Sequence, residues 1–389
     1  MTNILTILLL PASIFYFALS SSLAGGTTLT AILLILGISI RQPKFLKLHV
    51  RSITFYGFCL AFVTFHLVVA STFVRVDFTR AFLSLFPLFV ILICSEIFSS
   101  WLLSLPTKYM EKAIKLGFWV MCFIAILSQL KFQSPILKST FSKPMFPFAE
   151  PSHFAIAFTP FMLAIFVTLD FHKRLMFQGL ILVFIVTIES MTLAVSWALL
   201  WLVSLKGIRT PILMIGILST TFFLLDLSYF YNRLDFNIET TNLSNLVYRQ
   251  GWELMLNSFS QTKGWGVGYQ QLGLRENFGD TSFFILQLMG YYFNVLDGGF
   301  TAAKYISEFG VWGLIIVAFF LFQCLKSFLA LRAIAHSHAN VPSIQVFAHA
   351  IVLSYSVELL VRGIGYYTGS ALLFFTGLHI LWCANSNKQ

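Results

Sequence analysis

Long apolar runs alternate with short polar breaks along this chain, and only one polar break is long. Twelve runs read as bilayer-crossing helices, at about 4–22, 27–40, 52–74, 81–105, 116–130, 154–170, 175–189, 191–205, 210–229, 305–330, 344–361 and 370–384. A span needs about 20 mostly apolar residues, and the second, fifth and eighth runs are shorter. Glu189-Ser190 alone parts the seventh from the eighth. Backbone groups in lipid must bond within their own segment or around a closed barrel. These runs are continuous rather than alternating, so the pattern predicts helices and an all-α, polytopic bundle of about 12 spans.

The long break covers 230–303. Within it, residues 244–260 place Tyr248, Trp252, Met255 and Phe259 at helical spacing, which makes one aromatic face. Asn242 or Ser244 can cap such a helix, and a helix of this kind lies in the membrane interface. Phe283 to Leu296 is apolar but too short to span, so it predicts an interfacial or re-entrant segment ending at Asp297-Gly298-Gly299. The chain therefore divides into spans one to nine (1–229), a large loop (230–303) and spans ten to twelve (304–389). It shows no linker, low-complexity tract or repeat.

Composition agrees with lipid as the solvent. Of 389 residues, 58% are hydrophobic and 10% charged, against about 25% charged in soluble domains. Mean hydropathy is +0.84. The net charge of +10 raises the possibility of nucleic acid, but membrane proteins gather Lys and Arg in cytoplasmic loops, and no nucleic-acid partner is expected. With the N-terminus inside, fourteen of the 25 basic residues fall in inward loops, six in the short outward loops and five in or beside the long loop. That asymmetry predicts both termini inside and the long loop outside. No Lys or Arg precedes the first run, which predicts a retained anchor rather than a cleaved signal. The five cysteines sit in apolar runs without a CxxC pair, so neither a disulfide nor zinc is expected.

Charges beside spans are costly unless they meet a polar cavity or partner. Arg75, Asp77 and Arg80 stand at the outer end of the third and fourth spans, where Asp77 can neutralise only one arginine. Arg362 lies in a short outward loop, as an anchor or an anion contact. Glu96, Glu189, Glu308 and Glu358 read as structural acids. Glu150-Pro151-Ser152-His153 opens the sixth span. Proline holds Glu150 out of the helix and suits the first turn itself. Glu150 and His153 are thus either a proton-handling pair or a cap and an interfacial histidine. Arg249 and Glu253 are four apart, as neighbours on a helix or a surface ion pair of small weight. Gly264, Gly266 and Gly268 form either an anion-cradling nest or a tight turn anchored by Trp265. His336 and His338 are weak evidence for a metal, and His66, His349 and His379 read as packed.

These features together resemble the Wzy-type O-antigen polymerases, within the broader group that includes the O-antigen ligases. The resemblance rests on Phe148-Ala149-Glu150-Pro151-Ser152-His153-Phe154, on Tyr248-Arg249 to Trp252 followed by Gly264 to Gly268, and on Tyr305 to Gly313. It implies a GT-C-like bundle in the bacterial inner membrane with its site facing the periplasm. It also implies transfer of a glycan from undecaprenyl diphosphate onto an undecaprenyl diphosphate-linked repeat unit, with no cofactor and no metal. Arg249 would bind diphosphate, helped by Arg75, Arg80 and Arg362. Glu150, and after it His153, would accept the proton or orient the acceptor sugar, while Gly264, Gly266 and Gly268 shape the loop. Expected partners are lipid-linked glycans, membrane lipid, a chain-length regulator (a polysaccharide co-polymerase) and a flippase. A ligase acting on lipid A-core is the alternative enzyme, but the ligases carry a functional histidine in the large loop and 230–303 contains none. A transporter or flippase is the non-enzyme alternative; transporters show internal repeats and mid-membrane charged sites, whereas this chain shows no repeat and its polar candidates gather at the outer face.

Overall fold

The computed structural model describes residues 23–46, 49–129, 145, 148, 150–205, 230, 241–274, 278–337, 341–363 and 365–386. The described residues form thirteen α-helices and no strand. In chain order these are α1 (Leu23–Arg41), α2 (Val50–Ala70), α3 (Phe78–Leu103), α4 (Thr107–Gln129), α5 (Pro151–Thr168), α6 (Phe171–Ile188) and α7 (Met191–Ser204). They continue with α8 (Leu243–Gln261), α9 (Asp280–Met289), α10 (Thr301–Phe309), α11 (Val311–Ser337), α12 (Ser343–Leu360) and α13 (Gly369–Ser386). Seven helices are long and apolar enough to cross a membrane. The expected spans 4–22 and 210–229 lie outside the described residues.

Helix α5 sits at the centre, with Phe154, Phe158, Phe161 and Phe166 fully buried. It packs against α4, α7 and α12. Helices α2 and α11 are peripheral: Phe58, Phe65, Ile315 and Phe322 are exposed, as lipid-facing side chains would be. Helix direction alternates, so the loops collect at two ends. At one end, buried Arg174 of α6 donates to the carbonyls of Phe166, Val167 and Ala335, joining the ends of α5 and α11. Glu96 belongs to the same half; it accepts from His49 N, Ser52 Oγ and Tyr56 OH and ties α2 to α3. The other end carries the polar segments described below.

Three expectations need correction. The run 305–330 is two helices, α10 and α11, so a boundary at 303 cuts through the start of α10. Gly310 breaks them with φ 58 and ψ −127, and the Gly264 carbonyl is inserted there as acceptor for Val311 N at 2.8 Å. Of the apolar stretch 283–296 only 283–289 is helical, as the later part of α9, because Gly290 ends the helix in a left-handed conformation at φ 78. Helix α4 starts at Thr107, well before the expected 116, and carries its lysines on its first turns.

A Cβ on Gly310 would overlap the Gly264 carbonyl, whereas a Cβ on Gly57 in α2 would meet nothing within 4 Å. Gly310→Ala should therefore lose about 2 kcal/mol or more of stability through strain and displaced backbone. Gly57→Ala should be neutral or slightly stabilising. Thermal melts of the two variants in detergent check the contrast.

Candidate functional site

The polar end of the bundle is organised by two groups of charges. The first begins at Glu150. Its backbone is extended (φ −154, ψ 162) ahead of Pro151, and its side chain makes no capping bond. The carboxylate turns instead to Arg362, just past the end of α12. Arg362 donates to Glu150 Oε1 through Nη2 at 2.8 Å and Nε at 3.3 Å. Ser152 Oγ donates to the same oxygen, and His153 Nε2 lies 3.3 Å from it. No bond reaches Oε2 among the described residues. Burial pushes the Glu150 carboxyl up, but the charges of Arg362 and His153 and the Ser152 and Arg362 bonds outweigh it, bringing it down to about 2. Glu150 is thus an ionised hydrogen-bond acceptor with one oxygen engaged and one open. His153 Nδ1 is buried without a partner.

The second group centres on Lys304 of α10, whose side chain is only 4% exposed. Its Nζ donates to the Leu296 carbonyl at 2.7 Å and lies 3.8 Å from Asp297 and 3.9 Å from Glu308. It also sits 5.1 Å from the centre of the Tyr366 ring, a cation–π arrangement. Glu308, fully buried, accepts from Tyr366 OH at 2.7 Å and Gln270 N at 2.8 Å. Burial raises the Glu308 carboxyl; Lys304, the Tyr366 and Gln270 bonds, and Arg80 oppose the rise. Partial burial likewise raises Asp297, against the charges of Lys304, Arg362 and Arg80. Those three cations therefore act on one carboxylate, which places Arg80 and Arg362 on the same polar region. Gly363, next to Arg362, lies directly against Thr301 at the start of α10, so the two groups adjoin.

The glycine turn holds this region together. Gly264, Gly266 and Gly268 have φ of 85, 95 and 98. Their amides are already used: Gly264 N donates to Phe259 O, Gly266 N to Thr262 Oγ1, and Gly268 N to Glu308 O. Trp265 N and Val267 N are bonded as well. That saturation leaves no nest for an anion, and the tight-turn reading describes the geometry. Trp265 stacks on His66 of α2 with ring centres 5.0 Å apart, and the two exchange bonds: His66 Nε2 to Trp265 O, and Trp265 Nε1 to His66 O. The Gln271 side chain pairs with both backbone groups of Asp77. The Tyr269 and Tyr367 hydroxyls lie within hydrogen-bond distance of each other and of the Ser84 carbonyl, and their two protons serve two of these three contacts.

Arg249 and Arg75 stand apart from these groups. Arg249 Nε donates to Glu253 Oε1 at 3.3 Å, and Glu253 also accepts from Thr281 N and Oγ1. The terminal nitrogens of Arg249 have no partner among the described residues. Arg75 is exposed and unpaired there. Sequence reasoning named Glu308 only as a structural acid and missed Lys304, Asp297, Gln270 and the tyrosines. Lys304 and Glu308 are four apart in a short helix, and that spacing was the available signal. Among the described residues no three His, Cys, Asp or Glu side chains converge to hold a metal ion.

Fold and site together define a polytopic helical membrane protein with a cluster of paired and unpaired charges at one end. No family model, curated protein or solved structure matches the chain.

A depressed carboxyl contributes stability that is present above its unfolded value, about 4.5, and is lost as pH falls toward about 2. Wild type should exceed Glu150→Gln at pH 7, by about 3 kcal/mol at most. Thermal melts at decreasing pH should show this margin closing below about pH 4.5; a constant margin would count against the ion pair as its source.

Proposed function

We propose that this protein is a membrane glycosyltransferase of the O-antigen polymerase type, moving a growing glycan from undecaprenyl diphosphate onto a lipid-linked repeat unit at the periplasmic face. The observation that carries the reading is the meeting of Glu150, His153 and Arg362 beside Arg80, Lys304 and Asp297 at one end of an apolar bundle. A substrate with a lipid tail and an anionic head needs apolar helices next to fixed cations, and this end supplies both. The twelve-span topology, with both termini on the cytoplasmic side of the bacterial inner membrane, is part of the proposal and rests on the basic residues of the opposite end.

In the reaction, the bond from the sugar's anomeric carbon to the phosphate oxygen breaks. A bond to the acceptor hydroxyl oxygen forms, and that hydroxyl loses its proton. The diphosphate leaves with the electron pair. Guanidinium groups stabilise the growing charge through paired, charge-assisted hydrogen bonds. Arg362 and Arg80 take this role. Arg249, held at Nε by Glu253, presents its terminal nitrogens as a further contact. Glu150 Oε2 receives the acceptor hydroxyl. At a pKa of about 2 it orients that hydroxyl but is a poor proton sink. Diphosphate binding to Arg362 would weaken the hold on Glu150, and burial would then raise its proton affinity. Loading the donor thereby turns the orienting carboxylate into a base.

Reconstitution with a lipid-linked repeat unit, without lipid A, tests the reaction: a lengthening glycan ladder is expected, with the same length when a chelator is present. Arg362→Lys keeps the charge but loses the planar fork and should lower turnover about a hundredfold or more while inserting normally. Arg249→Lys should have a smaller effect. Wild-type ladders from a correctly inserted Arg362→Ala protein would sink the assignment.

A further inference from the structure

Away from the polar cluster, α4 carries a face with its own chemistry. Lys108, Lys112, Lys115, Trp119, Phe123 and Ile126 follow one another at helical spacing. At about 100° per residue they fall in a stripe about 80° wide. Every member is exposed, with Trp119 at 63%, Phe123 at 60% and Ile126 at 54%. The opposite face, with Met110, Ile114, Phe118 and Met121, is buried against the bundle. The order along the stripe is cationic, then amphipathic aromatic, then wholly apolar. Its three lysines span about 10 Å of helix, and Trp119 lies about 6 Å further on.

None of the three ammonium groups is paired among the described residues. The nearest acid in the sequence, Glu111, accepts from Ser343 Oγ at 3.2 Å and so is drawn toward α12. Each lysine is free to meet an anion from outside the protein. The apolar continuation of the same stripe fixes where that anion comes from: Phe123 and Ile126 require hydrocarbon at a depth where the lysines meet the headgroup layer. Trp119 stands at the level preferred by interfacial tryptophan, and lysine stems can extend along apolar surface to keep their charge at the phosphates.

We propose that this face of α4 is a binding surface for anionic phospholipids, with Lys108, Lys112 and Lys115 on the headgroup phosphates and Trp119, Phe123 and Ile126 along the acyl chains. It lies at the end of the bundle opposite Glu150 and Arg362, and it does not depend on the glycosyl-transfer reading. Each lysine should contribute about fivefold to the preference for an anionic headgroup, so the three together contribute up to about a hundredfold.

Native mass spectrometry of the full chain, released from mixed phosphatidylglycerol and phosphatidylethanolamine nanodiscs, tests it. Wild type should retain phosphatidylglycerol in excess. The triple variant K108Q/K112Q/K115Q should lose that excess while keeping its phosphatidylethanolamine, and K108R/K112R/K115R should retain it. Unchanged phosphatidylglycerol on the glutamine variant would overturn the proposal. So would equal loss of both lipids, which marks a damaged lipid shell. A dimer present in wild type and lost in the glutamine variant would assign the face to a second copy of the chain and also overturn it.

Discussion

The carboxylate of Glu308 is where three distant stretches of this chain meet. In a helix bundle solvated by lipid, a buried acid must find donors inside the protein or unfold its surroundings. Glu308 takes the amide of Gln270 from the segment after α8, the hydroxyl of Tyr366 from the segment before α13, and the nearby ammonium of Lys304 from its own helix. The first two donors pin loops that apolar packing alone would leave unplaced. Arg362, at the end of α12, borders the loop that carries Tyr366, and Arg80, at the start of α3, is near enough for its charge to act on Glu308.

The polar end is therefore a nested set of compensations. Lys304 is held by Glu308, Asp297 and the Leu296 carbonyl, so its charge is largely accounted for within the protein. Arg362 is matched by Glu150. Arg75, Arg80 and the terminal nitrogens of Arg249 are among the cationic groups left with capacity. Removing one partner from such a set leaves another buried charge exposed to a low dielectric, and the cost exceeds the worth of the lost bond. Effects of substitutions in the two groups should couple rather than add.

Much of the helical framework was legible because lipid permits little else: long apolar runs had to be helices, and ten expected helices in the described residues lie within a few residues of their limits or overlap them. The amphipathic helix at 244–260 was legible for the same reason, since its aromatic spacing is a local property. Arg249 and Glu253 were readable as neighbours, and so was the extended backbone of Glu150 before proline. The break at Gly310 was not, because the Gly264 carbonyl, from within the long loop, enters it, and no local pattern of Tyr305 to Gly313 announces it. Lys304 looked like one charge at the edge of a span. Only tertiary packing of Leu296, Asp297 and Tyr366 around it shows why an ammonium can be buried there. The pairing of Arg362 with Glu150 joins residues 212 positions apart, a distance at which periodicity carries no information.

The saturated glycine turn has a consequence for traffic. With the amides of Trp265 and its neighbours bonded and the indole locked on His66, the segment is a fixed rim, not a flap. If the proposed reaction is right, a lipid-linked donor would not be admitted by lifting that rim. It would have to slide in sideways, between helices, from the plane of the bilayer. Its carbohydrate would then project past the rim into water throughout. Such a doorway would accommodate a polymer of any length, because nothing would have to close behind it.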